Sequence, residues 1–222
     1  MRGMILAAGR GTRMGSLTDD TPKPLLRVGQ HYLIEYSIRA MAKADIREIV
    51  INVSYHREQI KAALGNGDRY GVAIQYSEEE ERLETGGGIF QALPLLGDAP
   101  FVVLSSDIIS EYALENLPEE PEALAHLVLV DNPVFYPQGD FCLDGKQIYC
   151  SGSPMLTFSN IGVYRHALFS ECKPGHFRLG TLLTQAITRQ QVTGEHFAGQ
   201  WFNIGDAEQL NAVLDTRLEC LL

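Results

Sequence analysis

No apolar run in the sequence approaches the ~18 residues that a membrane-spanning helix requires, so none is expected. The apolar stretch near the N-terminus, Met4-Ile5-Leu6-Ala7-Ala8, is too short for a secretory signal and runs straight into a glycine loop. Cysteine is scarce. Cys142, Cys150, Cys172 and Cys220 lie far apart without a C-x-x-C pair, which argues against a disulfide framework and against zinc. Reduced thiols in a cytoplasmic protein are expected. His31, His56, His126, His166, His176 and His196 are scattered without metal-ligand spacing, and His126, inside an apolar run, reads as a satisfied core residue. Positive charge is also short, with 18 Lys and Arg against 28 Asp and Glu and a net charge of −10. A protein that coats nucleic acid needs clustered cations to neutralise phosphates, so that class is excluded. A small anion in a local basic pocket is not. There is no internal repeat, low-complexity tract or Walker loop.

What is present is an ordinary globular balance: 222 residues, 45% hydrophobic and 21% charged. At about 150 residues per domain this allows one or two domains. With no linker in view, a single domain over residues 1–222 is expected, with a small lobe from the second half. Short apolar runs at Met4–Ala7, Ile49–Val53, Val72–Tyr76 and Phe101–Leu104 read as buried strands. Between them, Leu33, Ile34, Ile38, Met41 and Ala42 recur at helical spacing, and Glu58–Leu64 and Gly88–Leu96 read as helices. This alternation predicts an α/β protein whose central sheet is mixed and mostly parallel. Further on, Leu124–Val130, Phe141–Leu143, Gln147–Cys150 and Thr157–Tyr164 are strand candidates. Gly180–Arg189 and Ala207–Leu218 are helix candidates, the last one capped by Asp206. The acidic run Glu78–Glu81 reads as a solvated loop.

The most informative stretch is Leu6-Ala7-Ala8-Gly9-Arg10-Gly11-Thr12-Arg13-Met14, directly after the first strand. Ligands of open α/β sheets bind at the carboxyl ends of strands, and glycines let the backbone approach a phosphate. The dinucleotide fingerprint G-x-G-x-x-G fails because Met14 stands where its last glycine belongs. A second cation follows on the same loop in Thr21-Pro22-Lys23-Pro24-Leu25, where prolines on both sides restrict the lysine backbone.

Together these two runs resemble the signature of sugar-1-phosphate nucleotidylyltransferases. The resemblance continues through Leu83-Glu84-Thr85-Gly86-Gly87-Gly88, a strand ending at Asp107, Ala125–Pro133 and Gly139-Asp140-Phe141. It covers nearly the whole chain. It is strongest to the bacterial N-acetylmuramate 1-phosphate uridylyltransferase branch, which serves peptidoglycan recycling, with mannose-1-phosphate guanylyltransferase-like proteins as near relatives. The resemblance implies a Rossmann-like, GT-A-like fold and a transfer joining a nucleoside triphosphate, UTP, to N-acetylmuramate 1-phosphate with release of pyrophosphate. Catalytic roles would fall to Arg13 and Lys23. Leu6, Ala7, Ala8, Gly9, Gly11, Thr12, Thr85 and Gly86 would join them in holding the nucleotide. Glu84, Asp140 and Asn160 would contact the sugar. Asp107 and Asn203 would hold Mg2+, and no nucleic-acid or membrane partner is implied. The protein would be a monomer or a small homo-oligomer. The attacking phosphate is already an anion and needs no general base. Its difficulty is electrostatic: like unit charges ~4 Å apart repel by roughly 4 kcal/mol at an effective dielectric near 20.

Three places depart from the family pattern, one of them Ser16, where a proline is common after the glycine loop. Ser105-Ser106-Asp107 replaces Asn-Gly-Asp, and Asn203 stands where a second metal-binding aspartate is usual. Asn offers a neutral oxygen, so divalent binding should weaken. A nucleotide or sugar-phosphate binder of impaired activity is therefore the alternative reading. Trp201, the one tryptophan, is expected in core packing rather than stacked on substrate.

Overall fold

The computed structural model describes residues 1–214; the predicted helical position Leu218 and Cys220 lie outside the described residues. The first half follows the predicted alternation. Strand β1 (Arg2–Leu6) leads through the glycine loop to a small hairpin, β2 (Arg27–Val28) and β3 (His31–Tyr32). Then come α1 (Leu33–Lys43), β4 (Glu48–Val53), α2 (Arg57–Leu64), β5 (Ala73–Glu78), α3 (Glu84–Leu96) and β6 (Phe101–Ser105). Met4 and Ile5 of β1 are fully buried, and Gly3 admits α1 so closely that a Cβ there would stand 2.5 Å from the Met41 sulfur. Helix α3 begins four residues earlier than predicted, because the glycines that read as a turn form its first turns. Pro94 lies near its end, and Gly97 at φ +72° closes it.

The second half contains β7 (Ile108–Ser110), β8 (Ala125–Val130), β9 (Phe141–Asp144), β10 (Gln147–Tyr149), β11 (Met155–Tyr164), α4 (Leu179–Thr188), β12 (Val192–Phe197), β13 (Trp201–Asn203) and α5 (Ala207–Leu214). Asp206 caps α5 by accepting the Gln209 N–H at 2.9 Å. Strand β12 was not expected from the sequence. Its Thr, Gly, Glu and His dilute the apolar signal. Gly194 is needed there because a Cβ would meet the Leu127 carbonyl at 2.6 Å.

The large sheet has the order β5-β4-β1-β6-β11-β8-β12-β10-β9. It is mixed: β5, β4, β1 and β6 run parallel, as do β8 and β12, while β11 lies antiparallel to β6 and β8. Strand β9 also pairs with the start of β11, so β11, β8, β12, β10 and β9 close into a ring. Ring and open sheet share β11, which breaks register between Phe158 and Gly162. The Ser159 hydroxyl holds this bulge by donating to the Val128 carbonyl at 2.7 Å and accepting the Ile161 N–H at 3.2 Å. Asn160 takes φ +62°, a left-handed conformation in which Asn is better tolerated than most residues.

One apolar cluster joins α1 and α2 to one face of the sheet, and a second joins α3 and α4 to the other. A smaller third cluster unites Met14, Leu33, Ile109, Ile204, Leu210 and Val213. It clamps the end of the glycine loop against α5. Among the described residues no helix is long and apolar enough to cross a membrane. His126 is buried, as expected, with Nδ1 2.9 Å from the Thr193 hydroxyl. Cys142, Cys150 and Cys172 are free thiols.

Candidate active site

Parallel strands β1, β4 and β6 end at one edge of the sheet, and the glycine loop leaves from there. Gly11 adopts φ +67°, and a Cβ on it would stand 2.9 Å from the Lys23 Cβ, so the two segments interlock only through glycine. Among the described residues the N–H groups of Gly9, Arg10 and Gly11 have no protein acceptor. Lys23 opens a 3-10 turn between Pro22 and Pro24 and is 8% exposed. Its ammonium reaches Asp107, in the turn between β6 and β7, with Nζ 2.5 Å from Oδ2. This pair is largely desolvated, at 10% and 24% side-chain exposure, so removing either partner would strand a charge.

Arg13 projects the other way. A Cβ on Gly205, in the turn between β13 and α5, would lie 3.1 Å from its Nη2, so the guanidinium rests on bare backbone. Among the described residues it makes no hydrogen bond or ion pair with protein. It borders two cavities, one of about 330 Å³ and one of about 420 Å³, which share Leu6, Arg13, Thr85 and Ser105 as a common wall. The first contains the glycine loop, Lys23 and Asp107. The second lies over the β11 bulge and contains Asp140, Asn160, Trp201 and Asn203.

Most residues singled out from the sequence therefore converge. Leu6, Ala7, Ala8, Gly9, Gly11, Thr12, Arg13, Lys23, Thr85 and Asp107 line the first cavity, and Asp140 and Asn160 line the second. Asp140 is held by the Tyr136 hydroxyl at 2.9 Å and the Phe158 N–H at 2.8 Å. Three further residues are placed differently from the rest. Glu84, expected at the sugar, lines the first cavity and not the second. It pairs with Arg82 at 2.9 Å, with His176 and Arg178 nearby. Gly86, expected at the nucleotide, borders neither cavity; it is buried, and a Cβ on it would strike Phe177 at 2.5 Å. Gly87 meets the Gly175 carbonyl in the same way, at 2.2 Å. Both serve to dock residues 175–179 on α3, with the Gly86 and Gly87 N–H groups donating to the Phe177 carbonyl. Asn203 lines the second cavity whereas Asp107 lines the first, although their strands pair and the Ile204 N–H donates to the Asp107 carbonyl at 2.9 Å.

Among the residues of the first cavity that were missed, two form a buried relay. Asn52, a lone polar residue in a buried strand, accepts the Ala7 N–H at 2.8 Å and donates to Glu79 at 2.7 Å. Glu79 also accepts the Leu83 N–H, and burial pushes its carboxyl above the ordinary range. The acidic run is therefore not wholly solvated, since Glu79 is 2% exposed. Gly88 makes room for this relay: a Cβ there would lie 2.5 Å from Glu79 Oε1 and 2.7 Å from Asn52 Nδ2. Asn52 signalled itself as the one polar residue among Ile49, Val50, Ile51 and Val53. Trp201 is half-buried and forms part of the second cavity's wall, with Nε1 donating to the Ser159 carbonyl at 3.0 Å.

A glycine loop at the edge of a parallel sheet, an immobilised lysine and two adjoining cavities define a nucleotide-handling transferase. The nucleotidyl transferase family model matches residues 2–132, and the chain belongs to that family. It is 42% identical over 215 residues to N-acetylmuramate alpha-1-phosphate uridylyltransferase of Neisseria meningitidis, covering 92% of this chain and 93% of that protein. A mannose-1-phosphate guanyltransferase of Candida albicans is 41% identical over 120 residues, 53% of this chain; the chain matches about a third (33%) of that relative's length. The inositol-1-phosphate CTP transferase from T. maritima superposes with a TM-score of 0.78 at 19% identity, covering 96% of each chain, and shares the fold. Within the family, the chain is a sugar-1-phosphate nucleotidyltransferase.

Proposed function

We propose that the protein joins UTP to N-acetylmuramate 1-phosphate, releasing pyrophosphate, with the nucleotide in the first cavity and the sugar phosphate in the second. The observation that carries this reading is the shared wall. Arg13 stands between a cavity bearing free backbone N–H groups, Lys23 and Asp107 and one bearing Asp140, Asn160 and Asn203. The similarity to the Neisseria uridylyltransferase over 92% of the chain supports the choice of base and sugar.

In this reading the sugar phosphate oxygen attacks the α-phosphorus of UTP in line, and the bond to pyrophosphate breaks. No proton needs to be removed. Backbone N–H groups of Gly9 to Gly11 donate to the triphosphate oxygens. Arg13, with no partner in the protein among the described residues, meets both substrates at the wall. Lys23, oriented by Asp107, turns toward the oxygens of the reacting phosphate. Fixed cations of this kind lower the barrier because they need no reorganisation during reaction. The donor types suit Mg2+ better than a softer ion: a carboxylate oxygen from Asp107 and an amide oxygen from Asn203, on segments that neighbour through the β7–β13 pairing. Asp107 and Asn203 would hold the ion, and bound Mg2+ supplies further charge neutralisation at the phosphates.

Pyrophosphate release is to be measured with each of the four NTPs against N-acetylmuramate, N-acetylglucosamine, glucose and mannose 1-phosphates, with Mg2+. The reading expects the highest kcat/KM for UTP with N-acetylmuramate 1-phosphate. A higher value for another pair reassigns the substrates. Nucleotide binding by calorimetry without turnover for any pair would instead favour the impaired binder that Asn203 suggests.

A further inference from the structure

The second cavity contains a polar group that the mechanism above does not use. Tyr164 ends β11 and is 1% exposed, yet its side chain borders this cavity. Its hydroxyl has no hydrogen-bond partner among the described residues, and it is not sealed from the cavity as the buried, unpartnered His166 Nε2 is. Buried polar groups are normally satisfied, and an exception needs an explanation. Residues i and i+2 of a strand share a face. A Cβ on Gly162 would lie 3.1 Å from the Tyr164 oxygen, so the phenol lies back along its own strand over a glycine. That direction leads from Tyr164 toward Asn160 and Thr157, the strand's other polar residues at the cavity. Val103, which faces Gly162 in register, and Leu183 also line the cavity and are 3% and 1% exposed. This end is therefore apolar apart from one phenol.

We propose that the Tyr164 hydroxyl determines sugar specificity by donating a hydrogen bond to an acyl carbonyl carried on the sugar ring. The inference rests on the reading that the second cavity holds the sugar phosphate. Counting hydrogens favours a carbonyl. A phenol facing a sugar hydroxyl brings two O–H groups to one contact, and one of them stays unpaired in apolar surroundings. A phenol facing a carbonyl leaves neither group unmatched. The methyl of an acetyl group would sit against Val103 and Leu183. Burial pushes the phenol pKa well up, so the group remains a neutral donor throughout the working pH range.

The test is Tyr164→Phe, assayed with UTP and Mg2+ on N-acetylmuramate 1-phosphate and on its de-N-acetylated counterpart. The lost oxygen has no protein partner, so Tm should not fall. The kcat/KM ratio of acylated over deacylated substrate should drop roughly five- to tenfold, through the KM of the acylated substrate, as expected for one neutral hydrogen bond. An unchanged ratio, with wild-type enzyme active on N-acetylmuramate 1-phosphate, overturns the Tyr164 assignment alone. A fall in Tm with equal losses on both substrates overturns it as well, since that marks a structural role. Wild-type protein inactive on both substrates removes the sugar reading and the assignment with it.

Discussion

The two cavities are built by different means. The first is made at the ends of parallel strands from the glycine loop, the Lys23 turn and the Asp107 turn, with Asn52, Glu79 and Arg82 closing it. Its binding groups are backbone N–H groups and fixed charges. The second is made where the sheet folds into a ring, from side chains of β11, β13, α4 and the loop before β9. Its binding groups are amides, one carboxylate and aromatic rings. Backbone and charge suit what all substrates of such a reaction share, the phosphates. Dispersed side chains suit what distinguishes one sugar from another. The first cavity thus carries its fixed cations on short motifs beside strand ends, whereas the second draws on side chains of separate elements.

Substitutions can break or sharpen this division. Lys23→Ala should have the largest effect, lowering kcat by roughly 10²- to 10³-fold, the usual loss of one preorganised charge donor. Pyrophosphate release under saturating substrates checks it; a loss confined to sugar KM would place Lys23 in the wrong half. Next comes Asn160→Gly, which suits the left-handed backbone but removes the amide. Sugar-phosphate KM should rise about tenfold, or ~1.4 kcal/mol, with nucleotide KM unchanged. An equal rise in both would dissolve the distinction between the cavities. Asn203→Asp adds a carboxylate beside the shared wall and should lower the Mg2+ concentration for half-maximal rate several-fold; a titration of initial rate against Mg2+ reads this directly.

The smallest effect belongs to Glu79→Gln. Burial holds this carboxyl above 4.5, so the folded protein keeps its proton where the unfolded chain has lost it. That contribution to stability is complete below pH 4.5 and is lost as the pH rises through the raised value. Glutamine does not titrate. The Tm of the variant relative to wild type should therefore climb across this window, while nucleotide KM shifts only a few-fold. A constant difference in Tm would show that Glu79 titrates normally.

The same division explains what could be read from the sequence. Apolar runs and helical spacing marked β1, α1, β4, α2, β5 and β6, because buried parallel strands and amphipathic helices have simple periods. Arg13, Lys23 and Asp107 were legible because each lies in a short motif beside a strand end. Strand β12 was not, since its polar residues and Gly194 are explained by neighbours remote in sequence. The surroundings of Glu84 and Gly86 were hidden for a related reason. Their partners, residues 175–179, lie about ninety positions away, as the bond from the Leu179 N–H to the Thr85 hydroxyl illustrates (|i−j| = 94). Glu79 was hidden among four acids, of which one turned inward.

Gly86 and Gly87 carry a mechanical consequence. By removing a layer of side chains they let residues 175–179 lie directly on the first turns of α3, backbone against backbone. A joint of that kind has little slack, so it ties the start of α3 to the segment leading into α4 at a fixed spacing.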